Sequence, residues 1–281
     1  MELSLDVTLA VLAAGLMHAT WNALVKSSDG GDPLLDTATI VAGSTFFALV
    51  ALPFVPLPVA AAWPILAVSV CIHFAYYLTL AQAYRTGDLS FAYPLMRGTA
   101  PLLVTVLGAL FLRELPSLQI TGGIMLISAG IVGIAFAARH RHPRAAVAWA
   151  LANAAIIAVY TLIDGAGART SGNALSYVAW MTFVEGVLFL TWLVARQRQA
   201  AVRYVALRWR RGAIGGFFSV AAYAIVLWAM TRAPVAAISA LRETSVLFAA
   251  IIGAVVLKER FGYARIIGTL LVVAGVVAIK I

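Results

Sequence analysis

Charge is scarce in this 281-residue chain. Asp, Glu, Lys and Arg together make up 11% of it, against about 25% in a soluble globular protein. Apolar residues reach 63%, where about 45–50% is usual for soluble chains. Both departures point to lipid as the solvent and leave no room for a sizeable soluble domain. There is a single cysteine, Cys71. An intramolecular disulfide and a cysteine metal cluster are therefore excluded, and Cys71 reads as a small core residue. The four histidines are scattered, without metal-ligand spacing, so neither a metal nor a cofactor is expected. There is no Ser-His-Asp set, no HExxH and no pair of carboxylates in adjacent spans, which argues against an enzyme. The formal net charge of +9 does not signal nucleic acid, because the basic runs lie in loops with no fold to present them.

What the chain does have is apolar runs of membrane length. A spanning helix needs about 20 mostly apolar residues. Runs bounded by Gly, Pro or charge place ten spans at 5–25, 34–53, 63–84, 89–112, 116–137, 144–163, 173–195, 211–230, 234–257 and 262–280. Runs this long are helices, since barrel strands are about half the length. The expected fold is an all-α integral membrane protein.

The chain also repeats itself. At an offset of 145, residues 86–134 align with 231–279 without a gap, with 15 identities over 49 positions. Shared apolarity does not explain Arg97/Arg242, Glu114/Glu259, Gly123/Gly268 and Gly130/Gly275 falling in register. Two five-helix repeats follow, 1–140 and 141–281. Five is odd, so the second enters the membrane from the opposite side. Inverted repeats of this kind are a transporter plan, with the substrate site at the midplane between the halves. Lys and Arg divide 14 to 4 between the two sets of loops. The richer set belongs in the cytoplasm, which puts both termini outside.

Several segments resemble the EamA-type transporters of the drug/metabolite transporter superfamily. They are His18-Ala19-Thr20-Trp21-Asn22-Ala23-Leu24-Val25-Lys26, Tyr160-Thr161-Leu162-Ile163-Asp164-Gly165, and the paired spans ending Leu112-Arg113-Glu114 and Leu257-Lys258-Glu259, each followed by a Gly-rich span. The resemblance covers nearly the whole chain. It implies ten helices in two inverted halves around a central cavity in a bacterial inner membrane. Within the superfamily the chain looks most like the amino-acid exporters. The resemblance also implies cytoplasmic termini; the loop count, which says the opposite, is the expectation kept here.

Ionised residues inside the bilayer are costly and should face the bundle interior. Arg97 and Arg242 lie near the ninth residue of repeat-related spans, so a pseudo-two-fold axis would relate them. A guanidinium fork suits a carboxylate or phosphate; the competing reading is a structural bond to helix carbonyls or to Glu243. Neighbouring helix residues point about 100° apart, so Glu243 either reaches across to Arg97 or binds a substrate ammonium. Polar and aromatic residues recur four apart, on one helix face: His18/Asn22, His73/Tyr77, Tyr93/Arg97, Tyr160/Asp164 and Ser239/Glu243. Trp21, Tyr76, Tyr223 and Trp228 lie on the same set of helices and offer aromatic walls. The candidate substrate-binding residues are thus His18, Trp21, Asn22, His73, Tyr77, Tyr93, Arg97, Tyr160, Tyr223, Ser239, Arg242 and Glu243. His18 and His73 are also candidates for proton coupling. Asp164 reads as a solvated span end, and Glu185 as a structural partner on a helix that the resemblance makes peripheral. Glu114 and Glu259 read as structural pairs, the glycine pairs as helix contacts, and Pro94, Pro101 and Pro234 as bends.

The expected function is export of amino acids, possibly apolar or aromatic ones. An organic anion such as a sugar phosphate, or a cationic drug, is the alternative on the same fold. The expected partners are a small-molecule substrate and the bilayer, with a monomer or weak homodimer as the assembly.

Overall fold

The computed structural model describes residues 4–26, 32–87, 89–137, 143–248 and 262–280, without the side chains of 21–26, 89, 90 and 265. Among the described residues there is no strand. The helices are α1 (Leu5–Lys26), α2 (Pro33–Ala51, extended by a tight turn over Leu52–Phe54), α3 (Ala62–Thr86), α4 (Leu89–Leu107, continuing as a wider turn over Gly108–Leu112), α5 (Leu118–Phe136), α6 (Arg144–Thr170), α7 (Ala174–Gln197), α8 (Gln199–Leu207), α9 (Trp209–Met230), α10 (Val235–Arg242) and α11 (Tyr263–Lys280). Seven of the described helices are long and apolar enough to cross a membrane, from Pro33–Phe54 to Trp209–Met230; Leu5–Thr20 and Ile266–Lys280 are shorter apolar stretches.

Caps set several boundaries. Asp32 accepts from the backbone amides of Leu34 and Leu35 at the start of α2, Ser117 from Ile120 at α5, and Asn173 from Ser176 at α7. Each side-chain oxygen satisfies an amide the helix leaves unpaired. Arg113 closes α4 in the left-handed conformation at φ 55°, directing the chain into Glu114.

Four expectations are corrected. α6 runs to Thr170, seven residues past the expected end. The glycines that suggested a break are instead where α6 packs closely: a Cβ on Gly165 would lie 2.9 Å from Val235, and one on Gly167 would enter the Tyr177 ring. Asp164 is therefore inside a helix. The basic stretch expected as a loop folds as α8, which buries Ala201 and leaves Val202 and Leu207 exposed. Cys71 is exposed rather than in the core, on the outer face of α3. The expected span 234–257 departs from a single helix at Glu243 and continues beyond the described residues, as do Glu259 and its neighbours.

The closest helix pairs are α5 with α11, α3 with α6, and α1 and α2 with α9. α5 and α11 cross antiparallel through glycine. A Cβ on Gly123 would lie 2.7 Å from the Gly275 carbonyl oxygen, and one on Gly130 2.7 Å from that of Gly268. Any side chain there must push the two backbones apart. Gly123→Leu should cost about 1–3 kcal/mol as overpacking, read as a lower Tm in detergent. Gly122, one residue away, has nothing within 4 Å. Gly122→Ala should hold or raise Tm, because alanine favours the helix by about 0.8–1 kcal/mol.

Candidate functional site

A cavity of about 370 Å³ lies inside the bundle, walled by α1, α2, α3, α4, α6, α7, α9 and α10. Of the candidate residues, His18, His73, Tyr77, Tyr93, Arg97, Tyr160, Tyr223 and Arg242 line it. Ser239 and Glu243 do not. Both are 0% exposed and lie in the packing outside the cavity wall, which corrects their expected direct contact with substrate. Trp21 and Asn22 lie on α1, and their side chains fall outside the described residues. Tyr76, expected among the aromatic walls, lines it too, whereas sequence reasoning did not select Tyr84, Met96, Asn153 or Glu185, which also line the cavity.

One wall is cationic. Arg97 and Arg242 are 5% and 4% exposed and flank the carboxylate of Glu243. Arg97 Nε lies 2.6 Å from Glu243 Oε2, and Arg242 Nε lies 3.7 Å from Oε1. Adjacent residues 242 and 243 address one spot because the helix tightens there. Glu243, Thr244, Val246 and Leu247 each donate their amide to the carbonyl three residues back, so the direction of successive side chains departs from α-helical spacing. The Nη2 atoms of Arg97 and Arg242 are buried and make no hydrogen bond among the described residues. Two guanidiniums against one carboxylate leave a net positive charge at the cavity wall. The repeat explains the imbalance: the position matching Glu243 in the first half is Gly98.

A second polar cluster joins α3, α6, α7 and α9. Asp164, 0% exposed, accepts from Ser69 and Tyr177 on Oδ1 and from Tyr223 on Oδ2. His73 Nε2 lies 3.7 Å from Asp164 Oδ2, and its Nδ1 lies 3.7 Å from Glu185 Oε2. Tyr77 donates to Glu185 Oε1 at 3.0 Å. The Tyr160 ring stacks on the His73 imidazole with centroids 4.4 Å apart. Asp164 is thus a buried hub rather than a solvated helix end. Glu185 faces the cavity rather than the periphery. The signal for both was a spacing of four: Ser69, His73 and Tyr77 share one face of α3, and Tyr177, Met181 and Glu185 one face of α7.

The cavity runs to one end of the bundle, where Pro33 and Asp36 of α2 and Tyr84 of α3 line it. This end carries most of the arginines. Arg85 pairs with Asp32 at 2.9 Å, and Tyr204 of α8 donates to Asp36 at 2.7 Å. Partial burial, reinforced by that bond to a carboxylate, pushes the Tyr204 hydroxyl up to about 12, so it remains a donor across the physiological range.

The opposite end is closed. Arg169, at the end of α6, donates to Met230 O at 2.7 Å and Ala233 O at 3.0 Å, and pairs with Glu114. Glu114 in turn accepts from the Val235 amide at 2.9 Å. One ion pair thus caps the end of α9 and the start of α10 and ties both to α6 and to the end of α4. Glu114 makes the structural pairing its position suggested. Arg169→Ala should cost about 2–3 kcal/mol, because it strands partners of charged hydrogen bonds. Arg169→Lys should recover less than half of that loss, since a single ammonium cannot span three acceptors as the fork does. Thermal melts of the purified variants check both.

Membrane-length helices enclosing a charged, aromatic-lined chamber define a multi-pass membrane protein with an internal cavity. The model of the EamA-like transporter family matches residues 144–281, and by that match this half of the chain belongs to the EamA-like transporters. A solved crystal structure of a protein is similar over 98% of this chain and 97% of its own, with a TM-score of 0.74 and 18% identity; at that identity the likeness concerns the fold alone. No curated protein matches the sequence.

Proposed function

We propose that the protein exports amino acids across a bacterial inner membrane by alternating access. It does so with ten transmembrane helices in two inverted five-helix halves, 1–140 and 141–281. The observation that carries the reading is the pair of cavity-lining guanidiniums, Arg97 and Arg242, with unpartnered Nη2 atoms. A substrate carboxylate supplies the acceptor those atoms lack. The ammonium group lies against tyrosine faces, where a cation is attracted by the ring quadrupole. Leu80, Met96 and Ile157 give an apolar side chain its wall.

The repeat reading draws support from pairing. Adding or subtracting 145 turns the Gly123–Gly275 contact into Gly268–Gly130, and both occur. The same exchange equates α1–α9 with α6–α3, and α2–α9 with α7–α3; all four pairings are present. An axis between opposed halves would pass by Arg97 and Arg242, its exchangeable pair. The arginine-rich end, by the positive-inside rule the cytoplasmic one, is the end to which the cavity extends. That leaves the termini outside and the substrate loaded from within.

The test is flux of labelled amino acids with purified protein in liposomes. Saturable movement of at least one amino acid, competed by related ones, is the expected result. Movement of a sugar phosphate or another organic anion with none of any amino acid overturns it. One observation favours that second reading: Glu243, the carboxylate expected to meet an ammonium, is committed to the two arginines and lies off the cavity wall. The remaining net positive charge suits an anion.

A further inference from the structure

We propose that Glu185, with His73 beside it, is a proton-binding site, and that a proton is the second species this carrier handles. The inference rests on the transport reading above but not on the identity of the cargo.

The two carboxylates of the polar cluster are unequally served. Asp164 accepts three hydroxyl hydrogens, from Ser69, Tyr177 and Tyr223. An ionised carboxylate has about four acceptor sites, so Asp164 is close to saturated as an anion. Glu185 accepts one, from Tyr77, and its Oε2 is buried with no hydrogen-bond partner. A carboxylate oxygen left bare inside a membrane protein has high energy; adding a proton to it removes the charge.

His73 does not supply the missing donor. Its Nδ1 lies 3.1 Å from the Ser69 carbonyl oxygen and 3.2 Å from Ser69 Oγ. A carbonyl only accepts, so Nδ1 carries hydrogen and gives it to Ser69, while Glu185 Oε2 stands off at 3.7 Å. The Ser69 hydroxyl then donates to Asp164. The imidazole is thus bound to the Asp164 side of the cluster, and a proton at Nε2 faces Asp164 Oδ2.

Among the described residues no other titratable side chain is bonded to Glu185, and His18 of α1 lines the same cavity. α6 presents Asp164 and Tyr160, α9 presents Tyr223, and α7 itself presents Tyr177. α2 packs on α7, and its one ionisable side chain, Asp36, lies at the cavity mouth bonded to Tyr204. Arg97 and Arg242 are engaged with Glu243. The step is a simple exchange. Water in the cavity delivers a proton to Glu185 Oε2, forming the neutral acid, and the same O–H bond breaks when the proton leaves. On binding, an O–H bond of hydronium breaks as the one on Glu185 forms, leaving a water molecule; on release a water molecule takes the proton back.

The experiment is infrared difference spectroscopy of the purified wild-type protein in lipid, stepped between mildly acidic and mildly alkaline buffer with no substrate present. A carboxylic acid C=O band that appears on acidification, shifts in heavy water and is absent from Glu185→Gln is expected. In Tyr77→Phe the band should remain and move to higher frequency, because the carboxyl loses its hydrogen-bond donor. Absence of any such band in the wild type, its survival in Glu185→Gln, or its indifference to Tyr77→Phe overturns the assignment. Because the readout needs no substrate, a failure to move amino acids leaves it intact and is separately recognisable.

Discussion

Replacing Arg97 with methionine should abolish transport and cost about 3–5 kcal/mol of stability, the range seen when one partner of a buried ion pair is removed. Glu243 is 0% exposed and loses its 2.6 Å contact; Arg242 Nε, at 3.7 Å, replaces it only in part. The double variant Arg97→Met with Glu243→Leu should regain part of the lost stability, because it removes both members of the 2.6 Å pair, although it leaves Arg242 buried without its carboxylate. The remaining Arg242 then keeps the cavity cationic, but with one fork instead of two. If the guanidiniums hold the substrate, the double variant folds and does not transport. If they are only internal staples, flux returns with stability. Melting temperature and liposome uptake measured on the same preparations separate the two roles. Residues in one network are not additive, so the coupling between positions 97 and 243 is itself the expected result.

How far the sequence led depends on which physical signal each residue carried. Arg97 and Arg242 were visible because an internal repeat and the cost of membrane burial both single them out. The helical class followed from composition, and the close-contact faces of α5 and α11 from their glycines seven apart, though not that the two helices are each other's partner. Asp164 was hidden by its neighbours: Gly165 and Gly167 look like a helix end, and only the presence of Tyr177 and Val235 against them shows that the small residues serve packing. Glu185 was hidden because a helix assigned to the periphery can still turn one face inward, and the partners that reveal that face, Tyr77 and His73, lie on α3. Of the two alternatives for Glu243, the reach across to Arg97 is the one that occurs; the expectation that Arg242 and Glu243 point apart assumed an undisturbed helix. The tightened turn at 243–247 is a backbone event that no side-chain period announces. α8 was missed because its nine residues are too few for a span and the arginines on either side of it, Arg198 and Arg208, make the stretch read as a basic loop.

The hub at Asp164 leads to the second large effect. Asp164→Ala should lower stability by about 3–6 kcal/mol: three buried hydroxyls lose their acceptor, at about 1–3 kcal/mol for each donor left unsatisfied, with some recovery as hydroxyls rotate toward helix carbonyls. Tyr177→Phe or Tyr223→Phe, which remove a donor and leave the carboxylate two others, should each cost about 0.5–1.5 kcal/mol. The asymmetry is diagnostic. In a set of independent bonds the alanine change would equal the sum of the hydroxyl deletions; in a hub it exceeds that sum, because every spoke fails at once. Gly167→Ala provides a further probe without touching a polar atom. Its Cβ would displace the Tyr177 ring and withdraw that hydroxyl from Asp164, so its loss should match or exceed that of Tyr177→Phe. Thermal melts of the four single variants decide the matter: an Asp164→Ala loss no greater than the two tyrosine losses combined would mean that the carboxylate is a bystander and that α3, α6, α7 and α9 are held by apolar packing and by their other bonds, such as Tyr77 to Glu185.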